Sequence, residues 1–156
     1  MKEYKDHEIS FRPAEKADLS MLVEMENRSF NEVDRFSKEK IGHFIRNPHR
    51  SIIVDVIETG STPVGYSVYL TRRNSRTISL HSICIIPEMR GRGITRAYLD
   101  KRLPGFRGMY NKIVLRVRTG NTAARDLYNS IEFSVDGGEA GYYPDGEDAI
   151  RMTKNL

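Results

Sequence analysis

The chain has 156 residues, 38% of them hydrophobic and 29% charged, which suits one domain with a core of its own. A single cysteine, Cys84, excludes a disulfide framework and a cysteine-rich zinc site, and it fits a reducing compartment. The 25 Lys and Arg against 21 Asp and Glu give a net charge of +4, spread along the chain, which favours an acidic partner but does not specify nucleic acid. No apolar run approaches the ~18 residues of a membrane span. The opening MKEYKDHEIS lacks the apolar segment of a signal peptide, so the expected location is cytoplasmic, with no membrane partner.

No repeat, low-complexity tract or linker interrupts residues 1–156, which are therefore read as one domain. Ile9 and Phe11 alternate with polar neighbours until Arg12-Pro13 stops the pairing, the pattern of a short strand. Leu19, Leu22, Val23 and Met25 predict a helix capped by Asp18 and running to about Asn27. Ser37 predicts the cap of a second helix, with Glu39 in its first turn, an apolar face of Ile41, Phe44 and Ile45, and an end at Asn47-Pro48. Segments 51–58, 64–71 and 77–86 predict an antiparallel meander, closed by Pro87. A helix from Gly93 to about Leu103, a strand over 112–119 and a helix from Thr122 to about Ile131 follow. Two strands, about 133–143 and 148–154, are predicted to end the chain around the turn Pro144-Asp145-Gly146. The order is β-α-α-β-β-β-α-β-α-β-β, an α/β (α+β) class with a mixed sheet and at most three layers.

PEMRGRGITRAYL (87–99) is the most informative stretch. A strand ends, glycines and arginines follow, and a helix begins. Gly91 and Gly93 let backbone N–H groups crowd an anion, and a side chain at Gly93 is expected to occupy the anion's space. The new helix adds unpaired N–H donors and the positive end of its dipole, while Arg90, Arg92 and Arg96 add charge. A pyrophosphate is the natural guest. The loop is neither a P-loop, which ends in Gly-Lys-Ser/Thr, nor a dinucleotide fingerprint, which needs a third glycine.

Arg90-Gly-Arg-Gly93-Ile94-Thr95 resembles the pyrophosphate motif of the GNAT superfamily of acetyl-CoA-dependent N-acetyltransferases, with Thr95 where a small residue is usual. VRTGNTAARDLYNSIEF (117–133) is similar to a second motif of that superfamily, matched at Asn121, Ala124, Leu127, Tyr128 and Phe133 and departing from it at Glu132. FRPAEKADLSML (11–22) is similar to its first strand and helix. GYYPDGEDAIRM (141–152) resembles the end of the N-terminal protein acetyltransferases, of the ribosomal-protein alanine type and the archaeal type.

The resemblance implies a GNAT fold in which the strand at 77–86 splays from that at 112–119 and acetyl-CoA lies in the opening. Ile83, Cys84 and Ile85 would pair with the pantetheine arm, and residues 90–96 with the pyrophosphate. Asn121 would touch the cosubstrate or cap the helix that follows it. Tyr128 matches the general acid that protonates the departing sulfur, or is a core tyrosine. In the ribosomal-protein type the base is a glutamate at the position of Arg116, and an arginine cannot be a base at neutral pH. Two replacements follow. Glu32 stands where the archaeal type reads a glutamate in the loop between the first helices, and His81 lies one period-2 step from Ser79, the place of the base in some branches. Phe30, Tyr142 and Tyr143, the tyrosines in the last strand pair, would hold the first acceptor residues.

The implied activity is direct acetyl transfer to the α-amine of a protein or peptide N-terminus, without a metal, by a monomer or homodimer. Two alternatives remain at this point: a polyamine-like small amine as acceptor, drawn by Glu139, Asp145, Glu147 and Asp148, and an acetyl-CoA-binding protein of weak activity. Nothing in the sequence beside Cys84 would activate it for covalent transfer, and no basic, aromatic stripe supports specific nucleic-acid binding.

Overall fold

Burial alternates along the fifth strand. Ile113, Leu115 and Val117 are buried while the residues between them are only partly covered, so one face of that strand is committed to a core. The computed structural model describes residues 2–47 and 49–156. Within it the chain runs β1 (Ile9–Pro13), α1 (Leu19–Ser29), α2 (Lys38–Arg46), β2 (Ile52–Thr59), β3 (Thr62–Leu70), β4 (Thr77–Ile85), α3 (Ile94–Arg102), β5 (Lys112–Arg118), α4 (Thr122–Ser130), β6 (Ser134–Glu139) and β7 (Ala149–Asn155). The order agrees with the sequence pattern. The strands form one sheet in the order β1-β2-β3-β4-β5-β7-β6, antiparallel except where β4 meets β5.

Two apolar clusters cover the two faces of the sheet. Ile94, Tyr98 and Leu99 of α3 and Tyr128 of α4 pack with Ile78, Leu80, Ile113, Leu115 and Val117. On the other face Leu22 and Met25 of α1 and Ile41 and Phe44 of α2 pack with Val54, Val56, Tyr66, Val68 and Cys84. The result is three layers, helix–sheet–helix. A buried polar knot fixes α3 on the sheet: Asp55, 2% exposed, accepts from the Tyr98 hydroxyl at 2.6 Å and from Arg102 Nε at 2.7 Å.

The decisive irregularity is in β4. Val68 stands opposite Ser82 and Tyr69 opposite Leu80, so His81 is an extra residue, a β-bulge. Before the bulge Ile78 and Leu80 face the α3/α4 cluster; after it Ile83 and Ile85 do, and Cys84 faces α1. The bulge therefore shifts which residues point to which face. β4 pairs with β5 only through 77–80 against 112–115, and past that point the two strands part. β5 stays paired on its other side, with β7, as far as Arg118.

Some local expectations need correction. Asp18 does not cap α1 with its side chain; its carboxylate is held by Arg12 and by the Glu15 N–H at 2.7 Å. Ser37 does cap α2, accepting from the Lys40 N–H at 3.1 Å, and Asn47 ends that helix in the left-handed conformation. The expected stop at Pro48 lies outside the described residues. β6 ends at Glu139, so Tyr142 and Tyr143 belong to the β6–β7 loop and not to a strand.

The parting of β4 from β5 depends on how closely β3 holds β4 on the other side. A Cβ on Gly65 would lie 2.2 Å from the Cys84 carbonyl oxygen and 2.8 Å from Ile85 Cδ1. Gly65→Ala is thus expected to destabilise the fold by about 1–3 kcal/mol, the usual cost of overpacking. Urea unfolding measures this, and an unchanged midpoint would contradict the close approach.

Candidate active site

The gap left by the bulge is a cleft of about 940 Å³ that passes through the middle of the sheet, between β4 and β5, from the α3/α4 face to the α1/α2 face. Its walls are β4 from Ser79 to Ile85 and β5 from Leu115 to Arg118. Along 81–85 the side of β4 turned toward β5 has no strand partner among the described residues, and such an edge offers N–H and C=O groups to an extended guest.

At the α3 end the backbone donors are concentrated. Gly91 and Gly93 both have φ of +74°, a left-handed conformation that glycine adopts without strain. The N–H groups of residues 91–96 have no backbone acceptor among the described residues, and the first N–H bonded within the helix region is that of Ala97, to Gly93. Gly91, Gly93, Ile94, Thr95 and Arg96 line the cleft there. The donor set fits a diphosphate. Arg90 also lines the cleft but has structural duties: its Nε donates to the Ile85 carbonyl at 3.0 Å and an amino group to the Ser29 carbonyl at 3.4 Å.

Two expectations about this loop are corrected. Arg92 does not line the cleft; its carbonyl accepts from the Tyr4 N–H at 2.7 Å, and its Nε is buried without a partner among the described residues. A Cβ on Gly93 would meet Glu3 Cγ at 3.1 Å and the Tyr4 carbonyl at 3.4 Å, so it points at the N-terminal segment and not into the anion's space.

Ile83, Cys84, Ile85, Asn121 and Tyr128 all line the cleft. Asn121 also caps α4, accepting from the Ala124 N–H at 3.1 Å, so the capping role is realised. Tyr128 is 6% exposed and edge-on to Phe133, and burial pushes its phenol up to about 12 with help from neighbouring Tyr143. Cys84 is a buried strand residue whose thiol donates to Ser29 Oγ at 3.0 Å, and burial raises it to about 11. A thiol so held is a poor nucleophile.

On the α1/α2 face, His81 sits at the bulge and lines the cleft. Its imidazole stacks on Phe36 at 5.5 Å and meets the edge of Phe44 at 5.9 Å. Although the residue is exposed at the cleft, desolvation of its ring by the flanking aromatics lowers its pKa, and the charges of Lys40 and Arg116 lower it further. The ring is therefore neutral near pH 7. Phe36 is fixed in turn by Glu26, a buried carboxylate at the cleft wall that accepts from the Phe36 N–H at 2.9 Å and from the Tyr66 hydroxyl. Burial raises the pKa of Glu26.

Glu32 is not at the cleft. Its side chain is 89% exposed beside Arg35, on the outer side of the α1–α2 loop, while Phe30, Val33 and Asp34 of the same loop line the opening. Across the opening Tyr142 and Tyr143 line it from the β6–β7 loop. The two loops are tied by Arg118, which sequence reading overlooked although it lies two residues beyond Arg116 on the same strand face. Its amino groups donate to Asp34 at 2.6 Å, to Asp145 at 2.9 and 3.0 Å and to Glu147 at 2.9 Å, and its guanidinium lies 4.1 Å from the Tyr143 ring centre. No cluster of three or more potential metal ligands occurs among the described residues.

Residues 19–133 match the Acetyltransferase (GNAT) family. The chain is 32% identical over 143 residues to the N-alpha-acetyltransferase RimI of Mycobacterium tuberculosis, covering 90% of this chain and 88% of that one. An N-alpha-acetyltransferase of Saccharolobus solfataricus is 26% identical over 164 aligned positions, covering 97% and 96%. Among solved structures, the ribosomal-protein-S18-alanine N-acetyltransferase of Escherichia coli superposes with a TM-score of 0.81 at 23% identity, covering 95% and 94%. The spermidine N-acetyltransferase of Vibrio cholerae, in complex with CoA and spermine, gives 0.81 at 21% identity, covering 96% of both chains. At these identities the structural likeness is one of fold.

The Arg118 bridge generates a prediction. Arg118→Gln removes the hydrogen bonds that join the two loops, partly screened by solvent, so amide exchange should quicken by roughly two- to tenfold in both 31–36 and 141–148. Quickening in one loop alone would show that the loops hold their positions independently.

Proposed function

The chain belongs to the GNAT acetyltransferase family, as an acetyl-CoA-dependent N-acetyltransferase, and we propose that it acetylates the α-amine of a protein or peptide N-terminus by direct transfer. One observation carries this reading: the cleft joins free backbone donors at 91–96, through an open strand edge at 81–85, to a mouth between two loops on the opposite sheet face. In this reading the diphosphate lies on 91–96 and the pantetheine arm on Ile83–Ile85, which leaves the mouth for the acceptor. The N-alpha-acetyltransferases named above support an N-terminal acceptor, since they align along nearly the whole chain. Phe30, Val33, Tyr142 and Tyr143 would receive the first acceptor residues, as Val33 and Tyr142 are 61% and 44% exposed and apolar at the rim.

The chemistry requires a neutral amine, attack on the thioester carbonyl, and a proton for the sulfur as the carbon–sulfur bond breaks. His81 is the proposed base. It lines the cleft, is neutral near pH 7 and is held by two aromatic rings. The exposed position of Glu32 argues against that residue in the same role. Tyr128 is the proposed acid: raised to about 12 by burial, it keeps its proton, and among the described residues no side-chain hydrogen bond competes for it.

A polyamine acceptor loses its best sequence support. Asp145 and Glu147 are engaged by Arg118, Glu139 by Arg116, and Asp148 by the Gly141 N–H, so the acidic residues of the last loop are already partnered. Thiol release from acetyl-CoA, measured with N-terminal peptides and with spermidine in parallel, tests the acceptor. Turnover with spermidine and none with peptides would reverse the reading.

The proton transfers can be tested separately. Tyr128→Phe should lower kcat by roughly 10²–10⁴-fold with acetyl-CoA affinity nearly unchanged. At saturating acceptor, kcat should fall as pH drops through the His81 pKa, below the ordinary histidine value of about 6.5. His81→Gln should lower kcat and abolish that acidic limb. Full turnover in either variant would remove the residue from the mechanism.

A further inference from the structure

Arg116 occupies an unusual position in the acceptor half of the cleft. β5 turns Leu115 and Val117 into the α3/α4 core, so Arg116 between them points to the opposite face, where it lines the cleft. Its side chain is 31% exposed. Nε donates to Glu139 Oε1 at 2.9 Å, and the guanidinium lies 5.5 Å from the Tyr142 ring centre. The two terminal amino groups have no acceptor among the described residues. Glu139 and Tyr142 thus fix the plane of a guanidinium whose remaining donors are open to the cleft.

The other cleft arginines are committed elsewhere. Arg118 has both amino groups on carboxylates, Arg90 holds Ile85 and Ser29, and Arg96 reaches Ser130 and Asp100 by the phosphate loop. The carboxylates that face the acceptor side are likewise engaged: Asp34 by Arg118, Glu139 by Arg116 itself, and Glu26 by the Tyr66 hydroxyl and the Phe36 N–H. Among the described residues on the acceptor side, Arg116 keeps two terminal amino groups open although its Nε is paired with Glu139, and a planar fork matches a carboxylate in two parallel hydrogen bonds.

We propose that Arg116 is a specificity-determining residue that selects acceptors bearing a carboxylate close to the amine being acetylated. This rests on the N-terminal-acceptor reading above and narrows it to acidic N-termini. The carboxylate has two possible sources, an acidic side chain at the start of a peptide or the α-carboxylate of a free amino acid. Tyr142 contributes by stacking on the guanidinium, and Glu139 by turning the fork while competing for its charge.

The test compares peptides that start with Asp or Glu against matched peptides starting with Asn or Gln, alongside free glutamate, free glutamine and spermidine. For the wild type, kcat/KM is expected to be roughly 10–100-fold higher for the acid than for its amide. Arg116→Gln should bring that ratio toward one, and Arg116→Lys should keep only part of it, with thermal melting used to establish that each variant folds. Glu139→Gln, which removes the competing carboxylate, should raise the ratio. A wild-type ratio near one, or a ratio that survives Arg116→Gln in a folded protein, overturns the proposal while leaving peptide acetylation intact. Turnover of free glutamate and glutamine alike, lost in Arg116→Gln and absent for peptides, retains the carboxylate contact but overturns the N-terminal acceptor. Turnover of spermidine alone overturns both.

Discussion

The separation of β4 from β5 is the constraint on which the rest of the site depends. Two parallel strands that pair over only four residues leave their remaining backbone groups facing one another across a gap. Buried backbone groups need partners, and here water or an extended ligand must provide them. The bulge at His81 produces the gap by turning β4 and shifting its side-chain alternation, so the same residue that opens the cleft is displayed inside it. Gly65 on β3 allows the turned segment to lie close against its neighbour.

The sheet divides the chemistry between its faces. On the α3/α4 face lie the glycine turns, the free N–H groups of 91–96 and the buried Tyr128. On the α1/α2 face lie His81, Arg116, Arg118 and the aromatic residues of two loops. Alternation along β5 accounts for the division, since Leu115 and Val117 are in one core while Arg116 and Arg118 project the other way. A connected set of contacts holds the second face: Glu26 fixes Phe36, Phe36 stacks on His81, and Arg118 joins Asp34 to Asp145 and Glu147.

The fold was legible because the sequence states each element through local physics. Period-2 apolar runs marked the strands, Ser37 and Asn121 marked helix starts, and Gly91 with Gly93 marked the turn into α3. The turn from β4 into α3 was legible for the same reason, its residues being contiguous, whereas the directions of Arg92 and of a Cβ at Gly93 were not. The errors arose where side-chain direction depends on tertiary contacts. Arg92 turns away because the N-terminal segment packs behind the loop and takes its carbonyl, a contact across more than 80 residues of chain. Glu32 was placed by analogy with a loop, and loop geometry decides that Asp34, two residues on, reaches the opening instead. Alternation from Ser79 does place His81 on the α1/α2 face, but the bulge there shifts the phase of the residues that follow, which the sequence does not mark. Arg116 was noticed only as a missing base; its engagement with Glu139 and Tyr142 needed the β6–β7 loop in place.

The central claim, that an extended cosubstrate completes the open edge of β4, can be measured directly. Backbone amide exchange followed by NMR with and without CoA should show slowing at the amides of 81–85 that face β5 and at 91–96, with little change along β2. Slowing at 91–96 alone would mean that only the diphosphate is held by the backbone. No slowing at either segment, under conditions where CoA binds, would contradict the claim that the gap between β4 and β5 is its site.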